Sequence, residues 1–577
     1  MSGNGKPEWA LEGSGWALDR IHFDRPVTQF TKSFYLDAAG AGSGEGFESW
    51  SLPIERYRFE LVNGWAYGRA EPFGGEPPRI LEKLPFLAHL WRVDPRSRKR
   101  MLGFDRFVRE GGFERNIDTW ANEWKPEAER RAANLGQGDP ASASDDELAL
   151  TLEECRSYCE WAWTFHLNIH FVCFYVRGRF RDLCRDRLGL SDFEAYELLK
   201  RSDPDLIAAS RMLAGIARRA AADDDVRGRL ELPADQALAE LRGTWFEQAL
   251  DEFLDAEGDR SGSFELSDPT WREMPELVVG LVKSFIDSGY DPVAEDEEFQ
   301  RWRSERVEEL RGRLDGDDRA EFDRWLDLGE RAYPLNETHN RLLIELPWAR
   351  ARYAGLEAGR RLAAAGRLER ESDVFHLSAE ELIGALRGTG ADPSATAASR
   401  RAELERAATL DPPAAIGPPP MPPPFHALPD AVSEALKVVL DQSVQMVGVN
   451  ERRGSAGEVV GSPGSPGTAE GPARVVRAIE EFDRVQAGDI LVCPLTNPSW
   501  TVLFPRVAGL VTDSGGALSH AAIVAREYGV PSVVGALDAT RRLQDGQIVR
   551  IDGEAGVARV VSETGRETVP DRSEDLV

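Results

Sequence analysis

Long apolar runs and cysteine, which mark membrane-spanning and disulfide-rich proteins, are both scarce in this sequence. No run of about 20 apolar residues is present, so no segment is predicted to cross a bilayer. The N-terminal text is polar and lacks the apolar core of a secretory signal peptide. The cysteines are too few and too irregularly spaced for a zinc knuckle or a complete disulfide framework. They are Cys155, Cys159, Cys173, Cys184 and Cys493. Reduced structural thiols and a cytoplasmic location are therefore expected.

Basic residues are outnumbered by acidic ones: the chain has 70 Lys and Arg but 99 Asp and Glu, which gives a formal net charge of −29. Nucleic acids and anionic membranes repel such a surface, so neither is an expected partner. The chain nevertheless has 42% hydrophobic residues and 15 tryptophans, enough for sizeable cores. At 577 residues it predicts two or three domains.

The first part of the chain predicts a helical assembly with a small β-rich cap. In residues 9–75, short apolar and aromatic runs alternate with polar residues and break at Asn63-Gly64, which is a hairpin signal. After this cap the helical period dominates. The strongest helix start is a capping box of Ser144 with Glu147, and the apolar residues that follow occupy more than one helical face. This helix is therefore predicted to be buried centrally.

Composition divides the chain into segments. Residues 1–410 form the mainly helical domain. Residues 411–461 combine a proline-rich tract with Gly, Ser and Pro text, which is typical of a linker that is stiff in one part and flexible in the other. Residues 462–561 alternate strand and helix signals, and residues 562–577 are predicted to be a disordered tail.

The text with the clearest chemical content is AGLVTDSGGALSHAAIVAREYGVPSVVG, residues 508–535. It predicts a buried strand and then a turn at Gly515-Gly516, where the missing side chains allow another group to approach closely. A helix is predicted to begin near His520. Gly529 suits a left-handed helix end, after which a second strand follows.

A histidine in the first turn of a helix favours phosphate chemistry for two reasons. The N–H groups and the positive end of the helix dipole attract a bound phosphate. The same field opposes the imidazolium form, so the ring stays neutral and nucleophilic. Ser519 would add a hydroxyl hydrogen bond to the phosphoryl oxygens. The alternative is a buried histidine that only caps its helix, and the pattern alone leaves both readings open.

The segment GGALSHAAIVAREYGVPSVVG resembles the phosphohistidine signature of the phosphoenolpyruvate-utilising (PEP-utilising) enzymes. This family includes PEP synthase, pyruvate phosphate dikinase and rifampicin phosphotransferase. The family's double glycine falls on Gly515 and Gly516, its phosphorylated histidine on His520 and the preceding hydroxyl residue on Ser519. Leu518 departs from the Thr common in the dikinases. The resemblance implies that His520 carries a phosphoryl group in a swivelling α/β domain of the β/β/α type.

The resemblance also implies a donor and a partner. In the dikinases and the synthase, pyruvate binds to a barrel beyond the histidine domain, and this chain ends soon after Val561, so pyruvate and PEP are not expected substrates. We find neither a Walker-type glycine loop nor the lysine-bearing, strand-rich text of an ATP-grasp domain. ATP and Mg²⁺ are therefore expected on a separate ATP-grasp subunit. By family analogy the β-phosphate of ATP is transferred, which leaves AMP and inorganic phosphate.

The first domain is similar to the helical acceptor domain of rifampicin phosphotransferase. GRLERESDVFHLSAEEL looks like a stretch of that family, and ALDRIHFDRPVTQF and LPIERYRFELVNGWAYGRAEPFGG resemble N-terminal text of acceptor-binding members. Two-subunit relatives that phosphorylate phenols, such as phenylphosphate synthase, divide the nucleotide and histidine parts between chains. The resemblance therefore implies a small phenolic or aromatic acceptor and a role in the catabolism of aromatic compounds.

Two histidines four residues apart, His166 and His170, project from one helical face among tryptophans and phenylalanines. They could supply a general base for an acceptor hydroxyl, or they could be satisfied histidines in a packed core, and the sequence leaves both open. The spacing also suits zinc. No HExxH motif or third ligand accompanies it, so no metal site is predicted.

Glu337 and His339 are the second pair of acceptor-site candidates, because the family often has an acidic residue and a histidine just before a helix here. His339 could instead cap the backbone at the helix start. His22 and Arg25, in the N-terminal stretch that resembles acceptor-binding members, are weaker candidates.

The sequence thus predicts a multidomain phosphotransferase subunit, with a largely α-helical acceptor-binding domain followed by a C-terminal swivelling phosphohistidine domain. Two alternatives stay open. The chain could be a non-catalytic phosphocarrier or regulatory protein, or phosphorylation could activate an alcohol for later elimination.

Overall fold

The computed structural model describes residues 8–75, 89, 91–203, 205, 207–420, 423–448, 454 and 457–562. The chain forms two compact units. The large unit contains Met1–Val279 and Asp291–Ser443, and the small unit contains Gly280–Tyr290 and Val444–Val577. The predicted disordered tail, apart from its first residue, lies outside the described residues. Among the described residues, no helix has the length and apolar character needed to span a membrane.

The helices, in chain order, are α1 (Gln29–Thr31), α2 (Asp37–Ser49), α3 (Pro95–Arg109), α4 (Gly112–Thr119), α5 (Lys125–Ala132), α6 (Asp145–Leu183), α7 (Asp192–Leu199), α8 (Ala208–Ala221), α9 (Asp224–Leu230), α10 (Ala234–Glu240), α11 (Trp245–Glu257), α12 (Pro275–Ser288), α13 (Pro292–Gly312), α14 (Gly316–Ala332), α15 (Leu335–Asn340), α16 (Leu346–Ala364), α17 (Ala379–Leu386), α18 (Pro393–Ala407), α19 (Asp430–Val447), α20 (His520–Glu527) and α21 (Ala539–Arg542). Turns of π-helix lie at Lys32–Leu36, Trp120–Trp124, Cys184–Leu188 and Arg341–Glu345.

The strands, in chain order, are β1 (Trp16–Leu18), β2 (Ile54–Val62), β3 (Trp65–Pro72), β4 (Ala415–Ile416), β5 (Glu458–Val460), β6 (Ser462–Ser465), β7 (Thr468–Val475), β8 (Ile490–Cys493), β9 (Gly509–Thr512), β10 (Ser532–Val534), β11 (Ile548–Asp552) and β12 (Val557–Ser562). The first four form an antiparallel sheet in the order β2-β3-β1-β4. The fold class predicted from the sequence, helical with a small N-terminal β part and a C-terminal α/β part, is confirmed.

Helix α6 is the central element of the large unit. Its 39 residues begin at the predicted capping box, in which Glu147 N–H donates to the Ser144 hydroxyl and Ser144 N–H donates to the Glu147 carboxylate. Helices α2, α14 and α16 pack against it. Buried residues occur on several of its faces, as the sequence predicted, and three of the buried cysteines lie on it. All five cysteines are buried and form no disulfide.

Helix α2 was not predicted, because its sequence, DAAGAGSGEGFES, is rich in glycine and has low helix propensity. The glycines allow α2 to approach α6 closely. A Cβ added at Gly42 would lie 2.0 Å from Glu160 O, and one at Gly46 would lie 2.2 Å from Thr164 O. Tertiary packing therefore stabilises this helix where propensity alone would not.

The predicted hairpin joins β2 and β3. Asn63 (φ 49°) and Gly64 (φ 81°) both have left-handed backbone conformations, as a two-residue type I′ turn requires. Val62 pairs with Trp65 on either side of the turn. The hairpin signal in the sequence is confirmed.

Glu71 on this hairpin provides a test of the sheet's electrostatics. Burial raises the pKa of Glu71, but hydrogen bonds from Arg56, Arg69 and Arg58 lower it more, to about 2. Because the folded pKa lies below the unfolded value, the stabilisation is present above about pH 4.5 and is lost as the pH falls toward 2. With solvent screening, we expect Glu71→Gln to lower the free energy of unfolding by about 1–2 kcal/mol at pH 7.

Urea denaturation of the wild type and the variant between pH 7 and pH 3 measures this difference. It should shrink steadily below about pH 4.5. The exposed Glu45 is the matched control, and Glu45→Gln should leave the stability unchanged at every pH. A Glu71→Gln difference that persists undiminished at low pH would show that the arginine contacts are not its cause.

The small unit is built on a mixed sheet in the order β5-β12-β11-β7-β8-β9-β10-β6. Strands β7 to β10 are parallel neighbours, and the flanking strands are antiparallel. All the residues of β8 and β9 are buried, and most of them are apolar, which is typical of parallel strands covered on both faces. The carboxyl ends of β8 and β9 meet at one edge, where ligand sites of parallel sheets form.

Candidate functional site

Local sequence determines how His520 is presented in the small unit. Strand β9 ends at Thr512, a turn follows, and α20 begins at His520 itself. Ser519 is the N-cap, and its hydroxyl accepts from Ala522 N–H (3.5 Å) and donates to Gly516 O (2.8 Å). The strand, the turn, the helix and the following strand β10 lie where the sequence predicted them.

The double glycine of the turn allows backbone to approach backbone. Gly515 has a φ of 98°, and a Cβ added at Gly516 would lie 2.0 Å from Gln445 O. Gly516 N–H donates to Met446 O (2.9 Å), and Leu518 N–H donates to Gln445 O (3.2 Å). The close neighbour of these glycines is therefore the end of α19, which anchors the turn. The predicted phosphate-binding role of Gly515, Gly516 and Ser519 stays a prediction.

The His520 ring is half-buried and contacts Thr496, whose Oγ1 lies 2.9 Å from His520 Nδ1. When Nδ1–H donates to this hydroxyl, the lone pair of the neutral ring lies on Nε2, which becomes the nucleophilic atom. Thr496 itself is buried. It follows β8 just as His520 follows β9, so the parallel pairing of these strands brings the two residues together.

Thr496→Val tests whether this contact orients the ring. The change keeps the shape of the side chain and removes one hydrogen bond, worth about 0.5–1.5 kcal/mol. We therefore expect the rate of His520 phosphorylation to fall by roughly 2–13-fold. Quantifying acid-labile phosphate on the chain over time measures this rate. Thr496→Ser, which keeps the hydroxyl, should stay close to wild type, and equal rates for the two variants would remove the orienting role.

In the large unit the structure brings together three of the four predicted acceptor-site candidates. His166 and His170 extend from α6, and His339 extends from α15. One ring nitrogen of each lies within 4.8 Å of those of the others. His339 Nε2 and His166 Nδ1 are 2.9 Å apart and share a hydrogen bond. We call these three residues the histidine triad.

In the histidine triad, His166 and His339 are buried and His170 is half-buried. His339 is fully buried, and burial lowers its pKa to about 4. Burial, and then the neighbouring histidines, lower the pKa of His166 well below its ordinary value. Burial and His339 lower the pKa of His170 in the same way. At neutral pH the triad thus offers uncharged nitrogens, which can accept a proton or coordinate a metal.

The fourth candidate, Glu337, lies on α15 two residues before His339. Its carboxylate accepts from Asn336 Nδ2 (2.7 Å), and Asn336 Oδ1 lies 3.3 Å from His170 Nδ1. Asn336 therefore connects Glu337 to the triad. Asn336 was not predicted, and the signal for it in the sequence was its position next to Glu337.

His22, a weaker candidate in the sequence, has the surroundings of an oriented base. Its Nδ1 lies 2.8 and 2.9 Å from the two carboxylate oxygens of Asp19. The ring packs against Tyr35 (5.3 Å) and Phe264 (5.0 Å), measured between ring centroids. A histidine held by a carboxylate through Nδ1 has its basic lone pair on Nε2. Arg25, named with it, instead pairs with Asp268.

Aromatic rings connect His22 to the histidine triad. Tyr35 packs against Trp163 (5.2 Å) and Trp348 (5.2 Å), and Trp163 packs against His166 (4.5 Å), measured between ring centroids. We call Tyr35, Trp163, Trp348 and Phe264 the aromatic cluster. Within the described part of the chain, the Tyr35 hydroxyl and Trp163 Nε1 are buried and have no hydrogen-bond partner. Unsatisfied buried donors of this kind are typical of a place where a ligand supplies the missing acceptors.

Two protein-family matches cover parts of the chain that contain these candidate residues. Residues 485–556 match the PEP-utilising enzyme, mobile domain. The chain carries this mobile domain. His520 lies inside the matched range, and the resemblance to PEP-utilising enzymes is confirmed. A second match, residues 166–337, is to the rifampicin phosphotransferase fourth domain, and it begins at His166.

Parts of several longer proteins are also similar to this chain. A chondramide synthase of Chondromyces crocatus is 33% identical over 573 residues, which are 95% of this chain and 14% of the synthase. An uncharacterised phosphotransferase of Bacillus subtilis is 29% identical and is matched over 71% of this chain and 48% of its own length. A rifampicin phosphotransferase of Streptomyces sviceus is 31% identical, over 56% of this chain and 35% of its own length. The chain thus spans less than half the length of each of these relatives.

Proposed function

We propose that the chain is a phosphotransferase in which His520 takes a phosphoryl group from ATP and passes it to the hydroxyl of a small phenolic acceptor. The observation that carries this proposal is the position of His520 at the first residue of α20, within the matched mobile domain. There the N–H groups of the first helical turn and the helix dipole favour phosphoryl oxygens.

The donor half-reaction is proposed to occur on a separate ATP-grasp subunit. His520 Nε2 attacks the β-phosphorus of ATP, the bond from this phosphorus to the α-phosphate bridge breaks, and AMP and inorganic phosphate result after hydrolysis of the terminal group. Mg²⁺ neutralises the phosphate charge in such transfers. Support for a nucleotide partner comes from the relatives named phosphotransferase, which extend beyond the matched regions.

The acceptor half-reaction is proposed to occur at the aromatic cluster of the large unit. Its rings suit a flat aromatic substrate, and its unsatisfied donors, Tyr35 Oη and Trp163 Nε1, suit oxygen atoms on that substrate. Apolar walls also exclude water, which would otherwise hydrolyse the phosphohistidine. Residues 166–337, which match a rifampicin phosphotransferase domain, include Phe264 of this cluster.

His22 is the proposed general base, oriented by Asp19. As the acceptor oxygen attacks phosphorus, the bond from phosphorus to His520 Nε2 breaks and the hydroxyl proton passes to His22 Nε2. The histidine triad remains the alternative base, since its imidazoles are neutral and only one aromatic ring away. Comparing His22→Gln and His339→Gln in the acceptor step separates the two.

Product analysis tests the proposed function. The full chain is incubated with ATP, Mg²⁺, an ATP-grasp partner and a panel of phenols, simple alcohols and rifampicin, and the products are examined by mass spectrometry. A phenyl phosphate ester together with AMP is the expected result. Phosphorylated chain with no phosphorylated product from any acceptor would favour a phosphocarrier, and an alkene product would indicate phosphorylation followed by elimination.

A further inference from the structure

We propose that the histidine triad binds one divalent transition-metal ion, for which Zn²⁺ is the best fit. Three imidazole nitrogens within 4.8 Å of one another, from two separate helices, match the three-histidine ligand set of open zinc sites. The reason for predicting no metal from the sequence was the lack of a third ligand. The structure supplies it in His339, 173 residues after His166.

Two histidines of the triad use one ring nitrogen to hydrogen-bond an oxygen acceptor, as metal-binding histidines do. His339 Nδ1 lies 2.5 Å from Leu335 O, and His170 Nδ1 lies 3.3 Å from Asn336 Oδ1. Both oxygens only accept, so both Nδ1 atoms carry the proton and both Nε2 atoms carry a lone pair. Asn336 is itself oriented by its bond to Glu337. Such second partners fix ring orientation and tautomer at metal sites.

The distances are compatible with a single ion after small ring rotations. Nitrogen atoms that each lie about 2.1 Å from one zinc ion are about 3.4 Å apart in a tetrahedral site. The His339–His166 pair, at 2.9 Å, is close to this distance, and the ion would displace the proton that the two nitrogens share. Nitrogens up to 4.8 Å apart would have to approach each other by at most about 1.4 Å. A packed core without metal predicts the same burial but no ion binding, so the two readings have different outcomes.

Charge around the triad is mixed. Arg177, seven residues after His170 on α6, is close enough to lower the pKa of His170. Burial lowers the pKa of Arg177 itself, and the nearby Glu337 opposes that shift. Neutral imidazole nitrogens are borderline ligands, which favour zinc, cobalt or nickel over Mg²⁺ or Ca²⁺, because those two ions prefer oxygen ligands. Binding of an ion here does not depend on the proposed phosphoryl transfer.

Metal titration of the full chain tests the proposal. After treatment with a chelator, the chain is titrated with ZnCl₂ by calorimetry and with CoCl₂ by visible spectroscopy, and bound metal is quantified by elemental analysis. We expect one ion per chain and cobalt bands of nitrogen ligation without a thiolate charge-transfer band. His339→Gln and His170→Gln should each abolish binding, and Asn336→Ala should weaken it by about 10–100-fold. The exposed His426 is the control, and His426→Ala should bind as wild type.

Circular dichroism of each variant separates a lost ligand from a lost fold, and the half-buried His170 is the milder change. No saturable binding by the folded wild type, or equal affinity in wild type and folded His170→Gln, overturns the proposal. Phosphorylation of His520, measured on the same samples, reports separately on the proposed function.

Discussion

His520→Ala is expected to abolish both halves of the phosphoryl transfer. The imidazole is the proposed nucleophile toward ATP and the leaving group toward the acceptor, so its removal leaves no covalent route. Loss of a nucleophile of this kind lowers turnover by on the order of 10⁴-fold or more. The measurement is acceptor phosphorylation in the presence of ATP and the ATP-grasp partner, together with acid-labile phosphate on the chain.

Histidines outside the proposed chemistry provide the controls. His376→Ala and His426→Ala should keep both activities, because neither residue lies in the small unit or in the histidine triad. His520→Ala should also keep its fold, since the ring is half-buried at the start of a helix and its removal creates no large cavity. Acceptor phosphorylation by folded His520→Ala at the wild-type rate would rule out the phosphohistidine route.

Gly516→Ala is expected to destabilise the mobile domain strongly. Its Cβ would lie 2.0 Å from Gln445 O and 2.8 Å from Gly448 N, and both atoms are backbone that cannot rotate away. Relief requires the turn to move and to lose the bond from Gly516 N–H to Met446 O. Overpacking together with one lost buried hydrogen bond predicts a loss of about 2–4 kcal/mol.

Gly529→Ala is the matched control in the same segment. Gly529 has a φ of 62° but nothing within 4 Å of an added Cβ, so only backbone strain of about 1–2 kcal/mol is expected. Hydrogen–deuterium exchange of peptides covering residues 508–535 reports local stability in the full chain. Protection should fall more in Gly516→Ala than in Gly529→Ala, and equal losses would mean that the contact with the end of α19 is unimportant.

The small unit was predictable because its signals are local. The strand before Gly515, the helix start at His520 and the helix end at Gly529 each depend on residues a few positions apart. Thr496, in contrast, was not predicted as a contact of His520. The partner of a histidine across two parallel strands depends on sheet order, which the pattern does not give. Strand β8 followed by a polar loop was the available signal.

For the large unit, the sequence predicted the helical class but not how the candidate site is assembled. The helical period and the capping box at Ser144 are local, and both were confirmed. Helix α2 was missed because its glycines favour a loop until α6 packs against them. The histidine triad joins residues 173 positions apart in its closest pair, His166 and His339, and no spacing in a single sequence reports such a contact. The short spacing between Asp19 and His22 was a signal for their contact, but the packing of His22 against aromatic rings could not be predicted.

The central claim is that phosphate passes through His520 on its way to the acceptor. Rapid-quench mass spectrometry of the peptide that contains His520 tests this most directly. With ATP, Mg²⁺ and an ATP-grasp partner, the account predicts that this peptide gains one phosphoryl group, then loses it when a phenol is added, while the phenyl phosphate appears in equal amount. Product that accumulates while the peptide stays unmodified at every time point would contradict the account.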